Sequence, residues 1–167
     1  MSVVIFSQDK IEMLEREAAQ SPRLRAHLSL HDSHQDAVQR VVIALINGTY
    51  IPPHYHELSR QWEHFQIIKG EIDLLVFDHE GCLVNQVSLG GESGNIFVQI
   101  PPLVPHTLVC RSPSAIVMEI KEGPFDERYA KIIPSWSYAE DYSTIPREAI
   151  INSITRLDVG QKLSMQL

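Results

Sequence analysis

Between residues 40 and 121 the chain keeps returning to short apolar runs broken by turns, and that cadence limits its possible folds more than any other feature of its 167 residues. Residues 41–46, 65–69, 72–77, 83–89, 96–100, 107–110 and 115–121 read as strands, spaced at roughly 8–12 residues as in barrels and sandwiches. Lys69-Gly70-Glu71 and Asp78-His-Glu-Gly81 read as hairpin turns, and residues 90–94 form a further glycine-rich loop. No helical pattern separates these runs, which argues against a parallel α/β sheet. The expected fold class is all-β.

Onto this cadence are set residues that bind metals. His54 and His56 follow Pro52-Pro53, Glu63 heads the run containing Phe65, and His106 heads the run Thr107-Leu-Val. If residues 53–56 are extended, the period of two puts both imidazoles on one face. Glu63 and His106 then each bring one ligand inward from a strand. Three imidazoles and one carboxylate leave positions open on a divalent first-row ion, a set that suits Fe, Mn, Ni, Co or Zn better than Ca or Mg. Open positions favour chemistry over a purely structural metal. A single histidine on a strand is more often a surface or satisfied core residue, so the weight rests on the four together.

Gly48, His54, His56, Glu63 and Gly70, followed by Pro101 and His106, resemble the two-part signature of the cupins, small antiparallel β-barrels that hold a metal in the barrel mouth. The likeness implies a double-stranded β-helix, or jelly-roll, barrel with short helices at the N- and C-terminal ends. The chain departs from the pattern in three places. Six residues separate His56 from Glu63 where cupins usually have three or four, Leu103 stands where the second motif has glycine, and Cys110 stands where it often has asparagine. A narrower resemblance, carried by Arg23-Leu-Arg25, His31, Gln39-Arg40, Trp62-Glu63, Phe77-Asp78, Ile100-Pro101 and the run from Glu119 to Phe125, is to the WbuC-type cupin-fold metalloproteins found among bacterial O-antigen and surface-polysaccharide genes. It spans roughly residues 20–142 and implies a metal-binding cupin without fixing a reaction.

Strand parity suggests what surrounds the metal. Phe65 and Ile67 share the face of Glu63, while Leu108 and Cys110 share the face of His106, giving an apolar pocket with a few polar groups. Phe65, Gln99, Cys110 and Lys121 are the substrate-binding candidates, although Cys110 reads more readily as a small buried apolar residue, because nothing nearby in sequence would lower its pKa. Tyr50, Glu119 and His31 are the catalytic candidates, and nothing in the sequence ranks them. Trp62 is a weaker substrate contact. Glu119 and Lys121 also read as a surface ion pair of little consequence.

The expected organisation is an N-terminal helical and extended segment over residues 1–39, the barrel over 40–122, and a lid-like loop with a C-terminal helix over 123–167. Residues 7–20 form a short helix capped by Ser7 and ended by Ser21-Pro22. His27, His31 and His34 would share one face if their segment were helical, which raises a second metal site, but no carboxylate or cysteine joins them at ligand spacing. Residues 144–157 read as an amphipathic helix with Pro146 in its first turn and Gly160 closing it; Ile150, Ile154 and Leu157 share a face. That face packs on its own domain or on a second copy in a homodimer.

Composition excludes some classes. A net charge of −7 with scattered Lys and Arg lacks the footprint of a nucleic-acid binder. Cys82 and Cys110 show no paired spacing and fit free thiols in a reducing compartment. The apolar run at residues 3–6 is too short for a signal peptide or a membrane span, so the expected address is cytoplasmic, with no membrane partner. Asn47-Gly-Thr49 matches a glycosylation sequon, but without a secretory signal it reads as a turn.

Three functional readings follow. The first is a metal-dependent enzyme acting on a small polar ligand by isomerase- or epimerase-like chemistry, linked through the WbuC resemblance to surface polysaccharide. The second is an Fe(II) dioxygenase, which the same ligand set serves. The third is a non-catalytic sugar-binding or regulatory cupin.

Overall fold

The computed structural model describes residues 3–140 and 145–164. Eight strands form in it: β1 (Arg25–Ser29), β2 (Val38–Ile46), β3 (Glu63–Lys69), β4 (Glu71–Phe77), β5 (Leu83–Gly90), β6 (Phe97–Ile100), β7 (His106–Cys110) and β8 (Ser114–Glu122). They build an antiparallel five-stranded sheet in the order β1-β2-β8-β3-β6 and a three-stranded sheet in the order β5-β4-β7. The fold is all-β, with one short helix near each end of the chain.

The inner faces of the two sheets meet in one core. Ile43, Leu45, Phe65, Ile72, Leu74, Leu89, Leu108, Cys110, Ala115 and Val117 are all buried there, each at every second position of its strand, as a half-buried strand requires. The outer faces are covered separately. Helix α1 (Gln8–Gln20) lays Leu14 and Ala18 over Val42, Ala44 and Ile116 of the five-stranded sheet. Helix α2 (Arg147–Thr155) lays Ile150 and Ile154 over Leu75, Phe77 and Val109 of the three-stranded sheet. The apolar face of α2 is therefore spent on its own domain.

Several local expectations are corrected. Strands β3 and β4 are not a hairpin, because Gly70 carries the chain from one sheet to the other. Gly70 has φ +79, and a Cβ there would lie 2.3 Å from the Ser114 carbonyl oxygen, so the close approach to β8 as well as the backbone turn requires glycine. The β4–β5 connection is a true hairpin. Residues 25–29 are a strand paired with β2 rather than a helix, so His27, His31 and His34 share no helix face. Ser7 stands at the N-cap of α1 but makes no side-chain cap bond. Pro146 is the N-cap of α2 rather than a first-turn residue, and the helix ends at Thr155, well before Gly160; the expected start at Thr144 lies outside the described residues. Among the described residues no helix is long and apolar enough to cross a membrane.

Candidate metal centre and its cavity

Backbone pairing brings the histidines together. The His54 N–H donates to the His106 carbonyl at 3.1 Å and the His106 N–H donates back to the His54 carbonyl at 2.9 Å, a one-residue antiparallel bridge between the segment before β3 and the start of β7. The His56 carbonyl accepts from the Leu103 N–H at 2.8 Å, which ties the same two segments together again. Leu103, at the glycine position of the cupin pattern, sits at φ 66, a left-handed conformation that costs a non-glycine residue about 1–2 kcal/mol. Glu63, as the first residue of β3, points inward from the facing sheet.

The donor atoms of His54, Glu63 and His106 all lie within 4.8 Å of one another. His56 Nε2 is 3.0 Å from Glu63 Oε1, and His106 Nε2 is 2.9 Å from Glu63 Oε2. Neither approach is aligned as a hydrogen bond, so His56 Nε2, His106 Nε2 and Glu63 Oε2 are buried without a hydrogen-bond partner. Unpartnered buried polar atoms are costly, and a group of them facing one place fits an ion. The other ring nitrogens are fixed: His54 Nδ1 is 2.9 Å from the Pro52 carbonyl oxygen and His106 Nδ1 is 2.8 Å from that of Val104. With the proton on Nδ1, each neutral ring presents an Nε2 lone pair, the arrangement that outer partners impose on metal-binding histidines.

Charge states suit the same purpose. Burial, and then the neighbouring His106, push His54 down to about 3, so that it stays neutral. Burial works against the Glu63 carboxylate, but His106 and His56 beside it outweigh burial and hold it well below the usual range. Burial likewise opposes a charge on His106, and Glu63 more than reverses it, raising the imidazole above its ordinary value. A proton on His106 and a divalent cation therefore compete for one place.

Beside the cluster lies a cavity of about 290 Å3. Ile43, Ile51, Phe65, Thr107 and Leu108 form its walls, and Glu119 and Lys121 enter it from β8. Lys121 Nζ is 2.6 Å from Glu119 Oε1 and 3.9 Å from Glu63 Oε1. Burial disfavours the ammonium, but Glu119 and Glu63 together raise its pKa. Phe125, Ala130 and Lys131, from the loop after β8, line one side, and Arg23, Arg25 and His27 line another.

Of the sequence candidates, the structure gathers His54, His56, Glu63, His106, Phe65, Glu119 and Lys121 around this one space. Others lie elsewhere. Gln99 is exposed on β6, and Cys110 is buried in the core, donating to the Ser112 carbonyl, with its thiol pushed up to about 11 by burial. Tyr50 is packed under α2 with its hydroxyl donating to the Tyr138 carbonyl. His31 Nδ1 is bound to the backbone of Arg40, and His34 packs against Phe125 with ring centroids 5.0 Å apart. Arg25, His27 and Lys131 as cavity residues were missed. Arg25 and His27 carried an alternation signal in a segment with no clear strand pattern, and Lys131 carried none.

Residues 6–89, or 84 of the 167, match the family described as "Domain of unknown function (DUF6016)". No curated protein matches the sequence. Among solved structures, a cupin-2 domain protein from Rhodospirillum rubrum is similar at 12% identity and TM-score 0.51, over 66% of this chain and 66% of that one. A cupin 2 conserved barrel domain protein from Rhodopseudomonas palustris is similar at 15% identity and TM-score 0.50, over 66% and 67%. The DMSP lyase DddQ from Ruegeria pomeroyi is similar at 21% identity and TM-score 0.50, over 66% of this chain and 53% of the lyase. The chain thus spans between about half and two thirds of these relatives. At such identities the likeness shows the fold, and the fold is that of the cupins.

Proposed function

This chain belongs to the DUF6016 family, a domain of unknown function, and we propose that it is a metal-dependent enzyme of the cupin type, holding one divalent transition ion on His54, His56, Glu63 and His106 and acting on a small polar substrate. One observation carries the reading. Buried Nε2 and carboxylate atoms without hydrogen-bond partners face a common place, with the opposite nitrogens of His54 and His106 tied to backbone carbonyls. A structural core has no use for such an arrangement, because each unpartnered group costs stability.

A bound divalent ion supplies Lewis-acid stabilisation of negative charge developing on a substrate oxygen. The remaining work falls to side chains of the cavity. Phe65, Leu108, Ile43 and Ile51 exclude water from one side of the substrate. Glu119, held 2.6 Å from Lys121, is the carboxylate placed to accept a proton from a bound substrate, and Lys121 the group placed to steady the resulting charge. Of the three catalytic candidates only Glu119 lines the cavity, so it takes the role of base. Isomerisation or epimerisation of a sugar derivative, in surface-polysaccharide synthesis, is the form that the WbuC-type motifs favour.

Elemental analysis of untagged protein purified without chelators tests this directly. About one transition metal per chain is expected, lost in the triple variant His54→Ala, His56→Ala, His106→Ala. Zn, Mn, Co or Ni agrees with acid–base chemistry, whereas iron together with oxygen uptake identifies a dioxygenase. Absence of metal from every sample, even after reconstitution, overturns the enzyme reading in favour of a binding module.

A further inference from the structure

The cavity beside the histidines differs in charge from the molecule around it. The whole chain has 14 Lys and Arg against 21 Asp and Glu. Yet Arg23, Arg25, Lys121 and Lys131 all line this one cavity, against only two carboxylates, Glu63 and Glu119. Glu63 belongs to the histidine cluster, within 3.0 Å of His56 and 2.9 Å of His106, and Glu119 is paired with Lys121. Arg23 and Arg25 both pair with Glu140, at 3.2 and 2.6 Å, and Arg25 also donates to the Tyr50 carbonyl at 2.9 Å. Lys131 has no hydrogen bond or ion pair through its side chain among the described residues. Cations thus outnumber carboxylates inside a cavity of an acidic protein. Such a site gathers anions from solution, and its apolar walls strengthen the attraction once water is displaced.

We propose that the cavity takes a small organic anion, its carboxylate or phosphate group held at the rim by Lys131 and Arg23 and its reacting oxygens turned toward the histidine cluster. The proposal rests on the enzymatic reading of the site and names its substrate class. A guanidinium fork and an ammonium lining one cavity match the oxygens of either group. The volume of about 290 Å3 lies at the low end of the ~300–1,000 Å3 usual for small-molecule sites, which selects a compact metabolite over a polymer chain. Lys131 lies on the loop after β8 and Arg23 just before β1, so the anion would bridge two segments that the barrel itself does not join.

The test is calorimetric titration of the full chain with inorganic phosphate and, separately, with malonate, metal content being measured on the same samples. Four proteins are compared: wild type, Lys131→Ala, Arg23→Ala and Arg16→Ala. Lys131 is exposed and the Arg23 side chain is 55% exposed, so neither substitution threatens the fold. Arg16 is an exposed residue of α1 outside the cavity and controls for net charge. Wild type is expected to bind at least one anion, with affinity falling about tenfold or more in Lys131→Ala and in Arg23→Ala, while Arg16→Ala and the metal content stay unchanged. The preferred anion tells phosphate from carboxylate. Failure of wild type to bind either anion, or binding indifferent to Lys131 and Arg23, overturns the proposal. Repeating the titrations on chelated protein separates the two readings: Lys131-dependent binding in a chain that never retains metal upholds the anion site and removes only the metal.

Discussion

At one end of the barrel interior, strands β3, β7 and β8 present Glu63, His106, Glu119 and Lys121; four residues further along β3 and β7, and two to four along β8, the same faces present Ile67, Cys110, Val117 and Ala115. Inner positions on a strand lie about 6.6 Å apart, so the interior passes from charged to wholly apolar within roughly 13 Å. The apolar end is filled by Ile72, Leu74, Leu89 and Leu45, all at most 3% exposed, and its backbone is paired on both sheets. The charged end instead carries buried donors without partners and a cavity. One set of strands therefore stabilises the domain at one end and holds buried polar atoms without hydrogen-bond partners at the other. The cluster is tolerable because the opposite end fixes the strands that bear it.

The largest effect that would sharpen this contrast is at the charged end. His106→Ala or His54→Ala should take bound metal from about one ion per chain to less than about a tenth, while far-ultraviolet circular dichroism stays that of wild type, since the core does not depend on the ion as a zinc finger does. A variant with full metal occupancy would remove its residue from the ligand set. Next comes the apolar end, where Ile72→Ala should cost about 2–5 kcal/mol in urea unfolding and leave the metal stoichiometry of the folded protein intact. Metal loss without destabilisation there would break the contrast.

Acid should reveal a smaller effect in the metal-free protein. His27, which lines the cavity, is pushed down to about 4 by burial and then by Arg25, and His54 to about 3. Because both folded values lie below the ordinary 6.5, these two groups take up protons first in the unfolded chain and stability declines as pH falls from about 6.5 toward 4, an effect that solvent screening reduces at the exposed His27; the raised His106 acts in the opposite sense, but only above about 6.5. Stability that stays level between about pH 6 and pH 4 would contradict this. The smallest effect lies outside both ends: Ser7 makes no side-chain cap bond, so Ser7→Ala should change stability by less than about 0.3 kcal/mol, against the ~1 kcal/mol of a working cap.

The strand cadence and the His54, His56, Glu63, His106 set were legible because each rests on local rules, alternation along a strand and ligand type at inward positions. Glu119 and Lys121 rested on the WbuC-type resemblance and on their being a charged pair at a strand end, and Phe65 on parity. Parity could not separate Cys110 from Phe65, because the inner face of β7 runs through both ends of the barrel and parity says nothing of depth. The hairpin expected at Gly70 but not formed has a related cause: the turn glycine was visible, but its contact with Ser114, where the chain passes to the other sheet, joins residues far apart in sequence. Arg25, His27 and Lys131 escaped for the same reason, since their meeting at the cavity depends on β1 pairing with β2 and on the path of the loop after β8.

X-ray absorption at the edge of the bound metal is the most direct measurement of the charged end. Scattering from about three imidazoles and one carboxylate oxygen per ion is expected, replaced by a spectrum without imidazole in the triple histidine variant. A first shell lacking imidazole in the wild-type protein, or a spectrum unchanged by loss of the three histidines, would contradict the assignment of the site.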